Sequence, residues 1–428
     1  MLNPLRHQLP AYSPLPLRSL LGAGHGAGDP RALLSQLLET EWGADEVLLL
    51  ESGTQALTLA LEAAARGLPE KRAVALPAYS CFDVASAAVA LDRPVRFYDL
   101  DPTTLGPDPG SLARTLERGV GVVVLAPLFG LPLDWHRLTP ILDDAGAGSG
   151  GVRVVEDAAQ GFGGRWEGRP LGSEAPLAVL SFGRGKGWTG GVGGGALLVR
   201  GGSASLRAVE SNPTMEATAG PAGGLELNSG LAQEMDWELD SGGGGGGVGS
   251  LVRALALWGL ARPGLYRVPR GLPFLGLGET HYRPPQMPQA MSALAARLIM
   301  GTEQASRKAV GVRRAAARQY REDLAHRAAV LPREVEGGEG GYLRFPVLLE
   351  GSMAGFILPD RARRLGAEAG YPRALPHLEA LSGLIPPDEC RLRWPGAASL
   401  VDGLVTLPSH PRTRVEERTE LVELIPSR

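Results

Sequence analysis

Residues 154–164 read VVEDAAQGFGG, and residues 180–199 read LSFGRGKGWTGGVGGGALLV. In the first an apolar Val-Val run halts at Glu156-Asp157, in the second a strand ends at Ser181-Phe182, and each passes into a glycine-rich turn. Val/Leu runs without polar alternation are the pattern of strands covered on both faces. The runs at 152–155, 177–182 and 196–199 that belong to these two stretches, and similar runs at 73–76, 95–98 and 120–126, give the strands. Between them, 55–66 and 111–118 are long enough for crossover helices. Alternating β and α segments imply an α/β fold with a mostly parallel sheet flanked by helices. Binding sites then fall at the carboxyl ends of the strands.

Beyond residue 200 the order weakens. GGSASLRAVESNPTMEATAGPAGG and the SGGGGGG run at 241–246 lack hydrophobic periodicity and read as loop. The segment 250–275 is apolar but broken by arginine, proline and glycine. It suits a lid, a partner or membrane-surface contact, or an ordinary packed helix and loop. A strongly helical stretch follows at 287–327. A strand at 342–349 and a helix at 361–369 then suggest a smaller C-terminal α/β domain. The expected division is a large domain over 1–285, carrying an insertion at about 201–278, and a connection plus small domain over 286–428.

Bulk properties narrow the function. The 428 residues carry a net charge of −3, which gives no basic face for nucleic acid. Cys81 and Cys390 are the two cysteines of the chain, too few for a disulfide framework or a metal cluster, so no metal is expected and a reducing, cytoplasmic setting is. Prolines and arginines interrupt the N-terminal 24 residues where a signal peptide needs an apolar core. No uncharged apolar stretch is long enough to span a membrane.

Of 43 basic residues only three are lysines: Lys71, Lys186 and Lys308. A sequence that otherwise uses arginine keeps lysine where arginine cannot serve, as in condensation with an aldehyde. Lys71 and Lys308 sit in polar or helical surface runs. Lys186 follows a strand and a glycine turn that lets backbone approach a ligand. Asp157, 29 residues earlier, ends the neighbouring strand, where a carboxylate can keep a pyridinium nitrogen protonated. ESGTQAL at 51–57 follows the apolar VLLL and opens a helix, so its free N–H groups and hydroxyls suit a phosphate. Ser181 adds a further hydroxyl.

Taken in order, SGTQAL, EDAAQ and SFGRGK resemble the pyridoxal-phosphate (PLP) enzymes of fold type I, and more narrowly the DegT-type sugar aminotransferases. PAYSCFDVASAA at 77–88, PLFG at 127–130, HYR at 281–283, YPRALPHLEAL at 371–381 and LVTLPSHPRT at 404–413 extend the likeness along nearly the whole chain. The resemblance implies that Lys186 holds the cofactor and moves the proton. By the same likeness Asp157 partners the pyridine nitrogen, Gln160 lies near the cofactor's 3-hydroxyl, and Gly53, Thr54 and Ser181 bind the phosphate.

The resemblance further implies a homodimer whose His281 reaches the neighbouring phosphate, and transfer of an amino group from glutamate or glutamine to a keto-sugar, usually nucleotide-linked, for polysaccharide or glycosylated-metabolite synthesis. Departures cluster around the substrate. The aromatic pair often laid over the cofactor reads Ser80-Cys81, leaving Phe82 or Tyr79 to stack or no ring at all, and a common histidine is Pro127. Arg184, Arg283 and Arg344 are candidate clamps for substrate anions. A non-sugar carbonyl acceptor, dehydration, and a binding or regulatory subunit without turnover are the rival readings.

Overall fold

The computed structural model describes residues 7–21, 28–148, 151–201, 258–259 and 282–428. The long glycine-rich and arginine-apolar segments, and His281, therefore lie outside the described residues apart from Trp258 and Gly259.

After a short helix α1 (Leu17–Leu21), helix α2 (Pro30–Trp42) starts at the N-cap Asp29, whose carboxylate accepts from the Arg31 N–H, with Pro30 pre-set for the first turn. It ends at Gly43 in the left-handed conformation. Strand β1 (Glu46–Leu50) follows and runs directly into α3 (Gly53–Ala65). The β/α alternation continues through β2 (Ala73–Pro77), α4 (Phe82–Leu91), β3 (Val95–Tyr98), α5 (Pro109–Leu116), β4 (Val120–Leu125), α6 (Trp135–Asp144) and β5 (Arg153–Asp157). The short strands β6 (Arg165–Trp166) and β7 (Arg169–Pro170) then precede β8 (Leu177–Ser181) and β9 (Gly195–Val199).

Among the described residues, seven of these strands form one sheet in the order β1-β9-β8-β5-β4-β2-β3. The β2–β3, β2–β4, β4–β5 and β5–β8 pairs are parallel, whereas β9 runs antiparallel to both of its neighbours, β1 and β8. The carboxyl ends of β1, β2, β4, β5 and β8 consequently share one edge, the edge expected to carry a site. All six residues of β4 and all five of β2 are buried, which explains why their sequences do not alternate. One apolar layer joins the α3–α4 face to the C-terminal region, and a second fills the opposite face under α2, α5 and α6.

Helix α7 (Ala293–Asp323), capped by Ser292, is shorter at both ends than the 287–327 helix expected from sequence. Strand β10 (Gly338–Glu339) pairs with β6, and β11 (Phe345–Leu348) pairs with β13 (Leu404–Leu407), which also pairs with β12 (Glu368–Ala369). The strand expected at 342–349 thus begins later, because Tyr342 takes a positive φ of 45°. The helix expected at 361–369 is also corrected. Helix α8 (Pro359–Arg364) stops before Gly366, whose φ of +93° turns the chain into β12. Helices α9 (Pro395–Gly403) and α10 (Val415–Glu423) complete this region.

An N-terminal segment crosses the molecule and ties these parts together. Gln8 donates to the Arg412 carbonyl at 2.6 Å and to Glu417 at 2.9 Å; His410 holds the Leu9 carbonyl at 2.8 Å; and Ser13 donates to the Lys186 carbonyl.

Candidate active site

The shared strand edge encloses a cleft of about 450 Å³, counted out to its mouth, lined by residues from five strand ends. At the end of β1, Ser52 is extended (φ −149°) and its hydroxyl accepts from the Gln55 N–H at 3.2 Å, so α3 starts at the cleft wall. Gly53 and Thr54 are the first residues of that helix and line the cleft. Facing them, at the end of β8, is Ser181. A Cβ placed on Gly53 would sit 2.6 Å from the Ser181 Cβ and 2.7 Å from its hydroxyl oxygen, so only glycine permits this approach.

Adjacent carboxylates at the end of β5 part company because strand side chains alternate. Glu156 is fully buried away from the cleft, accepting from the Gly172 N–H at 2.7 Å and the Glu174 N–H at 3.3 Å; burial pushes its carboxyl up to about 7. Asp157 faces the cleft instead. It accepts from the Ala159 N–H at 3.1 Å, and surrounding protein raises its pKa, opposed chiefly by the positive charge of Lys186.

Lys186 enters the cleft from the turn after β8. Its N–H donates to the Gly183 carbonyl at 3.2 Å, and Gly185 supplies the positive φ (+79°) that closes the turn. The turn is anchored below. Trp188 donates to the Ile299 carbonyl of α7 at 2.7 Å, Thr189 donates to the Phe182 carbonyl at 2.7 Å, and Ser13 holds the Lys186 carbonyl.

Gln160 is fixed at both ends of its amide. Its oxygen accepts from the Phe129 N–H at 2.9 Å and its nitrogen donates to the Tyr371 hydroxyl at 2.6 Å. Phe129 itself has φ +55°, a conformation that costs a non-glycine residue energy and is held by this bond and by its carbonyl accepting from Leu343.

The structure thus brings Gly53, Thr54, Asp157, Gln160, Ser181 and Lys186 to one cleft. His281 lies outside the described residues. The aromatic candidates for stacking are not there. Tyr79 is wholly buried, its hydroxyl accepting from the Tyr371 N–H at 2.6 Å, and Phe82 packs into the apolar layer. Among the described residues the lining contains no aromatic ring. Ser80, Cys81 and Asp83 occupy that wall, and Asp83 was not singled out by sequence reasoning. Burial first, and then Asp83, push the Cys81 thiol up to about 12 against the pull of Lys186, so it stays protonated at neutral pH. None of the three arginines lines the cleft: Arg344 pairs with Glu368 at 2.8 Å, and Arg184 and Arg283 are exposed.

Residues 26–207 match the model of the DegT/DnrJ/EryC1/StrS aminotransferase family. The chain is 31% identical over 156 residues (36% of the chain, 38% of the relative) to a 3-amino-5-hydroxybenzoate synthase of Amycolatopsis mediterranei. It is 32% identical over 146 residues (34% and 33%) to an L-glutamine:2-deoxy-scyllo-inosose aminotransferase of Streptomyces kanamyceticus. These matches span about a third of each relative's length. The fold is that of the sugar aminotransferase CalS13 from Micromonospora echinospora, with a TM-score of 0.68, 98% of each chain covered and 19% identity.

Pyridoxal phosphate is the cofactor this family indicates, and the residues present fit it. A flat ring with a phosphate at one corner needs a lysine, a carboxylate set apart from it, and an anion cradle. The cleft holds Lys186, an Asp157 carboxylate that no side chain bonds among the described residues, and the start of α3 pressed against Ser181.

Proposed function

We propose that the chain, whose residues 26–207 match the model of the DegT/DnrJ/EryC1/StrS aminotransferase family, transfers an amino group from glutamate or glutamine to a ketone on a polyhydroxylated ring. The observation that carries this reading is the convergence of Lys186 and Asp157 on one cleft that also holds the Gly53–Ser181 contact. The similarity to a relative named for amination of a cyclitol ketone supports this acceptor class, and the one named for an aminobenzoate product supports amination of a six-membered ring.

Bound pyridoxal phosphate supplies an aldehyde for an amine to condense with and a ring that withdraws electrons. The N–H groups of Gly53 and Thr54, with the Ser181 hydroxyl, would hold its phosphate at the positive end of α3. Asp157 would hold a proton on the ring nitrogen, its raised affinity for protons favouring a shared one. Lys186 would carry the proton to and from the substrate carbon on its Nζ. Gln160, already fixed by Phe129 and Tyr371, would steady the ring's hydroxyl edge. In the finer version of the reading, the acceptor is a nucleotide-linked keto-sugar of polysaccharide or glycoconjugate synthesis. The enzyme then works in the cytoplasm as a homodimer with His281 reaching a neighbouring phosphate.

The test is reconstitution of purified protein with pyridoxal phosphate. The expected outcome is a visible absorbance band that borohydride fixes onto the peptide containing Lys186, that glutamate bleaches, and that Lys186→Ala lacks. Protein that stays colourless, or a band insensitive to amino donors, overturns the proposal.

A further inference from the structure

Helix α4 places one charged group in the cleft that the roles above leave unused. Asp83 stands in the first turn of α4 and lines the cleft together with Ser80, Cys81 and Lys186. Its one side-chain partner among the described residues is the weakly donating Cys81 thiol, at 3.4 Å. No cation pairs with it there. A carboxylate in the first turn of a helix ordinarily serves the helix dipole, but this one also lines the cleft that cofactor and substrate would share. Both of its oxygens have acceptor capacity to spare, since a thiol satisfies only a fraction of one.

We propose that Asp83 is a specificity-determining residue that accepts hydrogen bonds from hydroxyls of a neutral, polyhydroxylated ring and excludes substrates carrying an anion at that position. The inference rests on the transamination reading and deepens it by naming which wall of the cleft selects the acceptor. Three features support it. Asp83, Ser80 and Cys81 occupy the wall where no ring lies, so that wall offers polar contacts rather than an apolar face. A carboxylate bridges two neighbouring hydroxyls well, because its two oxygens are acceptor-only and fixed in one plane. A second anion brought against Asp83, with Asp157 in the same cleft, meets like-charge repulsion.

The experiment measures binding of myo-inositol, a neutral polyol, to the pyridoxal-phosphate-loaded protein by calorimetry. Wild type, Asp83→Asn and Asp83→Ala are compared, with the visible band and melting curve of each recorded. Binding to wild type that weakens about 10-fold or more in Asp83→Ala, with Asp83→Asn intermediate, is expected for loss of hydrogen bonds to a charged group. No detectable binding to wild type, or equal binding by all three, overturns it. If Asp83→Ala does not fold, the isosteric Asp83→Asn decides alone: weakened binding supports the inference and unchanged binding overturns it. The visible band distinguishes the two levels of failure. A loaded protein that transaminates but ignores Asp83 sinks only this inference, whereas an unloaded one sinks the reading beneath it.

Discussion

At Glu156 and Asp157, one step along a strand separates a structural carboxylate from a candidate catalytic one. Glu156 keeps two backbone N–H groups satisfied and has its pKa raised to about 7. A carboxyl with a raised folded-state pKa contributes stability that is present below its unfolded value and lost as pH rises through the folded value. Glu156→Gln should therefore flatten the fall in melting temperature of the cofactor-free protein between about pH 4.5 and 7; an unchanged pH profile would show that Glu156 does not titrate there. Asp157→Asn should leave the fold intact and cut turnover of the loaded protein by about 10²–10⁴, the range for a misplaced proton. Melting curves and kcat check the two halves. The residue-level signals that sequence carried were rarity and position: a lysine, one of three in the chain, after a strand, and a carboxylate ending the strand beside it. Asp83 was not legible because an acidic residue in a first helical turn is ordinary, and which way α4 faces is set by packing of Val84, Ala85 and Ala88 into the core. Tyr79 read as a stacking ring only because its partner Tyr371 is nearly 300 residues away.

Elements position the site through two close approaches. The first is α3 against β8. Gly53→Ala would drive a Cβ into Ser181 and should cost about 1–3 kcal/mol by overpacking. Pairing it with Ser181→Gly, which removes the struck atom, should restore much of that loss; additive losses in the double-mutant cycle would refute the contact. The second is the N-terminal segment, pinned where His410 donates from Nε2 to the Leu9 carbonyl and accepts at Nδ1 from the Arg412 N–H. Burial lowers the His410 pKa from 6.5 to about 4. For a base depressed on folding, stability is present above the unfolded value and lost as pH falls through the folded one. Acidification from 6.5 to about 4 should thus cost the wild type up to about 3 kcal/mol, and His410→Ala should lose that acid-sensitive slope, read by denaturant midpoints across the range. Helix α3 was legible because Ser52 caps it where an apolar run stops. The N-terminal segment was not, because each of its contacts is made to residues far along the chain, and none leaves a periodic trace.

For the whole molecule, the buried strands and their crossover helices were readable as Val/Leu runs, and so was the parallel character of most of the sheet. The direction of β9 was not, since five apolar residues look alike from either end. The C-terminal region was read with misplaced boundaries, because positive φ at Tyr342 and Gly366 overrides the local pattern. That antiparallel strand has a further consequence for synthesis. Among the described residues β1 pairs along its length with β9, about 150 residues later, and at its end with Ala290, later still. At about 5–20 residues per second, the ribosome takes roughly 8–30 s to supply β9. For that interval Val47, Leu48, Leu49 and Leu50 lack the strand they pair with among the described residues, and the start of α3 at the cleft wall waits with them. A nascent chain arrested before residue 195 should engage chaperones, and one arrested far enough beyond residue 199 to free β9 from the exit tunnel should release them.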